Sequence, residues 1–169
     1  FFDYKVDATV DVAPSYIGDF SVNFLGRLNF KKNMSVGLLG EVSLATPSQK
    51  QTYYFGNHFS YHNRNLKKIF QAKIEAVYEW KKQLLYAHIQ NYFIQNFIYN
   101  DTDRLPKQYN KPLNILVVKL RKEFNTKHIF VGTEIYVQWI SNTNIIRLPV
   151  FAMKQTLYYK GGFISGKLN

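Results

Sequence analysis

Two histidines four residues apart, His58 and His62, are the first residues in this chain whose spacing could do chemistry. On a helix that spacing sets two imidazoles on one side and can hold a metal ion. Here the surrounding stretch, TYYFGNHFSYHN, alternates as extended chain does, with Tyr53, Phe55, Phe59 and Tyr61 on one face. No acidic side chain stands close enough in sequence to complete a ligand set, so the pair reads as polar loop residues. Asp101 and Asp103 form a short acidic motif, but the ligand series of a calcium loop is missing. His88, between Tyr86 and Gln90, could face a polar interior. No serine or threonine is placed to serve it as a nucleophile, and the chain has no cysteine. The residues therefore predict no catalytic group, no metal site and no cofactor.

The remaining charges follow a positional rule. Asp3, Lys5, Asp7, Asp11, Arg27, Glu41, Lys73, Glu75, Lys119, Arg121, Glu123, Glu134 and Lys154 all fall on the polar side of alternating segments. On the wall of a pore, such charges set ion selectivity. In a filled interior they neutralise one another instead. The sequence allows both readings equally.

The elements that must position these charges are strands. In FFDYKVDATVDV, Phe2, Tyr4, Val6, Ala8, Val10 and Val12 alternate with Asp3, Lys5, Asp7, Thr9 and Asp11. The same period recurs from Phe20 to Phe30, from Met34 to Leu44, and from Phe70 to Trp80. LLYAHIQNYFIQNFIY is less regular, with Leu85, Ala87, Ile89 and Phe93 assigned to the apolar side. Leu116, Val118 and Leu120 oppose Lys119, Arg121 and Glu123. Ile129 to Trp139 and Phe151 to Tyr159 complete the series. This predicts an all-β chain of about eight long strands, most of ~10–12 residues, with no convincing helix.

Soluble sandwiches use shorter strands, commonly about 5–6 residues, whereas a transmembrane barrel needs tilted strands of about 9–11. The expected fold is therefore an antiparallel, up-and-down transmembrane β-barrel, with apolar side chains toward lipid and the charged positions toward the lumen. Aromatics near segment ends (Phe20, Phe30, Trp80, Trp139, Tyr158 and Tyr159) resemble interfacial girdles.

Loop lengths also alternate. Short turns at 31–33, 81–82, 125–128 and 161–162 are expected on the periplasmic side. Longer connections at 13–18, 46–68, 100–112 and 141–149 are expected outside. Counting 52–62 as a spanning strand breaks this parity, so it is taken as a loop or an extension beyond the bilayer. The segment after 161–162 reads as the start of another strand. The expectation is thus part of a larger barrel, with a self-contained eight-stranded barrel as the alternative.

The chain has 169 residues and a net charge of +11. The lysine pairs 31–32, 67–68 and 81–82 lie between strands, not along one element, and no basic stripe with stacking aromatics accompanies them. Nucleic acid is not an expected partner.

Three stretches carry a family resemblance: YAHIQNYFIQNFIYNDTDRLPKQYN, with its acidic loop and Pro-Lys-Gln-Tyr element; WISNTNIIRLP; and NHFSYHN, where family members often carry Trp at the position of Tyr61. Together they resemble the putative porin family of Bacteroidota outer membranes across roughly residues 55–160. The resemblance implies an outer-membrane barrel longer than this chain, with no catalytic residues. Three functions are open: a porin or channel for passive passage of small solutes, a non-transporting barrel subunit of a larger outer-membrane complex, and a soluble all-β binding protein. The first two make membrane lipid and lipopolysaccharide the expected partners, with other outer-membrane proteins as further candidates.

Overall fold

The computed structural model describes residues 2–11, 17–30, 33–63 and 65–159. Twelve strands run along them: β1 (Phe2–Asp11), β2 (Asp19–Phe30), β3 (Met34–Ala45), β4 (Tyr53–Phe55), β5 (Ser60–His62), β6 (Ile69–Trp80), β7 (Leu85–Gln95), β8 (Phe97–Asn100), β9 (Pro106–Tyr109), β10 (Leu113–Asn125), β11 (Ile129–Ile140) and β12 (Phe151–Tyr159). Eight of them form one sheet in the order β1-β2-β3-β6-β7-β10-β11-β12, every neighbour antiparallel. Chain order is therefore sheet order once two side hairpins, β4–β5 and β8–β9, are set apart. Among the described residues β1 and β12 are not paired with each other, so the sheet is an open wall and not a closed eight-stranded barrel.

The excursion at 46–68 holds a one-turn helix, α1 (Gln49–Thr52), and the β4–β5 hairpin, while β3 pairs directly with β6. The stretch 52–62 is thus not a strand of the wall. The helix corrects the all-strand expectation locally: the Ser48 amide donates to Gln51 Oε1 at 2.8 Å, closing a capping box around a single turn. The irregular segment at 84–99 divides into β7 and β8 because Asn96 takes a positive φ of 61°, a conformation that ends the ladder. The turn after β6 is a 3₁₀ turn, Lys81–Gln83, that leaves through Leu84 at φ 49°. At the next turn, the Thr126 amide donates to the Ile129 carbonyl. Both turns lie at one end of the sheet, and the long connections 46–68, 96–112 and 141–150 lie at the other. The expected turns at 31–32 and 161–162, most of the connection at 13–18, and the further strand after 162 fall outside the described residues.

Period two and this register put the apolar series of β2, β3, β6, β7, β10, β11 and β12 on one face. Across the sheet run Leu28, Val36, Tyr78, Ala87, Leu120, Ile135 and Met153, each opposite the next. Many of these side chains are exposed: Ile74 at 56%, Trp139 at 51% and Leu157 at 74%. The assignment of Leu85, Ala87, Ile89 and Phe93 to this face holds, and Asn91 interrupts it. Phe20, Phe30, Trp80, Trp139 and Tyr159 share the face near its two ends, whereas Tyr158 points to the other side and stacks on Phe130 at 4.4 Å.

The dry core is small and sits on the opposite face, at the long-connection end. Ile94, Leu113 and Ile115 form it, with Leu113 fully buried. Ile69, Tyr92 and Ile140 pack from neighbouring strands, and Phe97 and Tyr109 from the β8–β9 hairpin.

Candidate functional site

The face opposite the apolar one carries the predicted charges. Register assembles them into rows that no single strand contains. One row runs Asn29, Ser35, Glu79, Tyr86, Arg121, Glu134, Lys154; the next runs Arg27, Gly37, Val77, His88, Lys119, Tyr136. Opposite partners within a row stand about 4.5–5.5 Å apart at Cβ and diagonal neighbours in adjacent rows about 7–8 Å, so long charged side chains can meet both within and between rows. Arg27 Nη2 lies 3.7 Å from Glu79 Oε2. Lys73 Nζ lies 3.2 Å from Glu41 and 4.0 Å from Glu75. Lys119 Nζ lies 3.3 Å from Glu134 Oε2, and Arg121 Nε 3.6 Å from Glu134 Oε1. Arg121 also contacts Glu123.

Groups outside the predicted set complete this network. The Tyr136 hydroxyl donates to Glu134 Oε2 at 2.6 Å, and the Ser35 hydroxyl to Glu79 at 3.4 Å. The ammonium of Lys119 sits 5.1 Å from the ring centre of Tyr136 and 5.9 Å from that of Tyr86. His88 Nε2 is 3.0 Å from Glu75 Oε1, close enough for an ion pair when protonated but poorly aligned for a hydrogen bond. The sequence already sets His88, beside Tyr86, toward a polar interior; only the period-two position of Tyr136, in phase with the charges, could have flagged that residue.

Asp3 accepts from Asn29 Nδ2 at 3.4 Å, and Lys5 is exposed beside it on β1. Lys154 is exposed and directly opposite Glu134. The side chains of Asp7 and Asp11 lie outside the described ones. The face is not uniformly polar: Leu25, Leu39, Val77 and Val117 share it. A cleft of about 470 Å³ opens among Asp3, Lys5, Arg27, Glu75 and Tyr86, and one of about 400 Å³ among Glu79, Lys119, Arg121 and Glu123.

The long-connection end is organised differently. Gln108, from the Pro-Lys-Gln-Tyr element, accepts from the Lys67 amide at 2.9 Å and donates to the carbonyls of Lys67 at 2.7 Å and Asn96 at 3.0 Å. Asn96 Nδ2 donates to the Lys68 carbonyl at 3.0 Å, and Asn63 Nδ2 to the Pro106 carbonyl at 2.7 Å. Asn142 Nδ2 donates to the Tyr109 hydroxyl at 3.0 Å. The three stretches that carry the family resemblance thus meet in one hydrogen-bonded knot above the small core. These hydrogen bonds tie the long connections to one another.

Asp101 is committed as well. Its Oδ1 accepts from the amides of Asp103 and Leu105, each at 3.0 Å, and its Oδ2 meets Lys107 Nζ at 2.7 Å. The hydrogen bond from Lys107, with the amide from Leu105, holds its carboxyl below the usual carboxylate value, and the same bond raises Lys107. His58 lies in the β4–β5 turn, whereas His62 stands on β5 opposite Tyr53. Among the described residues no group of three or more acidic or histidine side chains converges as a metal site.

The described residues thus form an antiparallel sheet with one apolar, exposed face and one charged, internally paired face, consistent with part of a barrel. A family match described as putative porin spans residues 1–169, and the chain belongs to that family, which is typically non-enzymatic. Comparison with curated proteins and with solved structures gives no match.

Proposed function

We propose that this sheet is part of the wall of an outer-membrane β-barrel that passes small solutes passively. The apolar face meets lipid and the charged face lines the lumen. The observation that carries this reading is the facing itself: over eight strands in register, exposed side chains such as Ile74, Leu120 and Leu157 share one side, and the ion-paired residues share the other. In water an apolar surface of that extent invites aggregation, which argues against a soluble binding protein. In lipid it is the required exterior, while a Lys or Arg there costs about 2–4 kcal/mol at the midplane. Among the described residues the outer edges of β1 and β12 carry no partner strand, which supports the same reading, because unpaired backbone groups cost several kcal/mol each in hydrocarbon. Further strands pair with them in the complete barrel.

In this orientation the turns at 81–83 and 125–128 are periplasmic, and the connections at 46–68, 96–112 and 141–150 are external. A cysteine at Asp103 then labels in intact cells and one at Lys82 does not. The deciding experiment is conductance of the full-length protein in planar bilayers. Discrete channel steps are expected, with ion selectivity that changes on Glu134→Gln. A protein that inserts but never conducts supports the non-transporting subunit of a larger complex, a reading favoured by the core and hairpin that cover one end of the charged face.

A further inference from the structure

We propose that the cleft between the β4–β5 and β8–β9 hairpins binds an acidic saccharide. This goes beyond passive passage, since it assigns a selective site to the external connections. The cleft measures about 570 Å³, within the range of small-ligand sites. On one side stand Tyr54, Phe59 and Tyr61. Their ring centres form a triangle with sides 5.0, 5.8 and 6.4 Å, and their planes lie within 26° of one another. Near-parallel rings with centres this close are offset-stacked, so the three pack on one another as a single cluster. Tyr54 and Phe59 line the cleft and remain 42% and 41% exposed, leaving ring surface of the kind that accepts the C–H groups of a pyranose.

Two features hold this ring cluster in place. Tyr61 donates its hydroxyl to the Lys50 carbonyl, which fixes its ring against α1. A Cβ on Gly56 would fall 2.7 Å from the Tyr54 ring, so glycine is the residue that lets this ring lie over the turn.

The other side is cationic. Lys50 and Arg104 line the cleft with no carboxylate among the lining residues, and neither makes an ion pair among the described residues. Arg104 holds a positive φ of 62°, an unfavourable conformation for arginine, kept by its amide bond to the Asp101 carbonyl at 3.0 Å. Asp101 thus spends its own charge on Lys107 and two amides, and the loop presents Arg104 unpaired. A guanidinium suits a carboxylate through two parallel hydrogen bonds. Gln51 and Asn100 add amides that can bond hydroxyls. Ring faces for C–H groups, amides for hydroxyls and two cations for an acid together describe a uronate-bearing oligosaccharide. Both hairpins are separate from the eight-stranded wall, so the ligand is a free one, from water.

The test is calorimetric titration of the detergent-purified full-length protein with trigalacturonate, with maltotriose as the neutral control. Binding of trigalacturonate at least tenfold tighter than maltotriose is expected. Arg104→Gln and, separately, Lys50→Gln should each weaken it fivefold or more, Phe59→Ala should weaken both sugars, and Lys73→Gln in the wall should change neither. Lys50 is exposed on the helix, so its variant keeps the test valid even if the Arg104 loop misfolds. Absence of binding, equal affinity for both sugars, or trigalacturonate affinity indifferent to Lys50→Gln would each overturn the proposal. These readouts do not depend on conductance, so the site and the pore can fail separately.

Discussion

The two ends of the charged face are built on different physics. At the turn end, Arg27, Glu79, Lys119, Arg121 and Glu134 stand in adjacent rows, partly exposed and held only by the strands beneath them. At the long-connection end, the same face turns apolar, and Leu113 is buried at 0% exposure under β8–β9. Partly exposed ion pairs are each worth roughly 0–1 kcal/mol, whereas a buried leucine is worth several. The first end therefore has little to lose in stability and can vary its charge. The second fixes the shape of the connections and cannot easily vary. Charge and rigidity are divided between two halves of one surface.

The sharpest way to break this contrast is Leu113→Ala. It should cost about 2–5 kcal/mol, read as a lowered unfolding midpoint in detergent. Ile74→Ala, at a 56%-exposed position on the apolar face, should move the midpoint far less. Equal losses at the two sites would show that the long-connection core is not a distinct unit.

A smaller effect is expected at the knot. Gln108→Ala removes three hydrogen bonds to the chain at Lys67 and Asn96 and should cost about 1–3 kcal/mol locally. Limited proteolysis within 100–105 should accelerate, while channel properties set at the turn end stay as they were.

Glu134→Gln reverses that pattern. It leaves Lys119 and Arg121 without their shared carboxylate, so the face gains one positive charge and the reversal potential should move toward anions. The unfolding midpoint should change by less than about 1 kcal/mol equivalent. A large destabilisation with no change in selectivity would mean that these charges are structural filling.

The smallest effect belongs to pH. The carboxyl of Asp101 is held below its ordinary value of 3.8, chiefly by Lys107. Because the folded value is the lower one, its contribution is present above about pH 4 and is lost as pH falls through the folded value. Cleavage of the 100–105 loop by an acid-stable protease should rise only below pH 4. Asp101→Asn should abolish that dependence, leaving the wall unaffected.

Strand existence, strand length and the two faces were determined by the sequence alone, because side chains alternate with period two whatever the neighbours are. The eight segments, the position of Asp101 in a turn and the exclusion of 52–62 from the wall all follow from local pattern and connection length. The break at Asn96 was not legible, since LLYAHIQNYFIQNFIY alternates imperfectly throughout. Tyr158 departs from the outer aromatic band expected of it, because it lies one residue from Tyr159 and period two sends it to the other face. What only the tertiary structure decided is adjacency. Lys119 meets Glu134 because of the register between β10 and β11, and Gln108 meets Lys67 across 41 residues of chain. Period two specifies which face a side chain takes. It carries no information about which of several equally spaced partners on another strand will stand opposite, and that choice is made by the turns and by packing around Leu113.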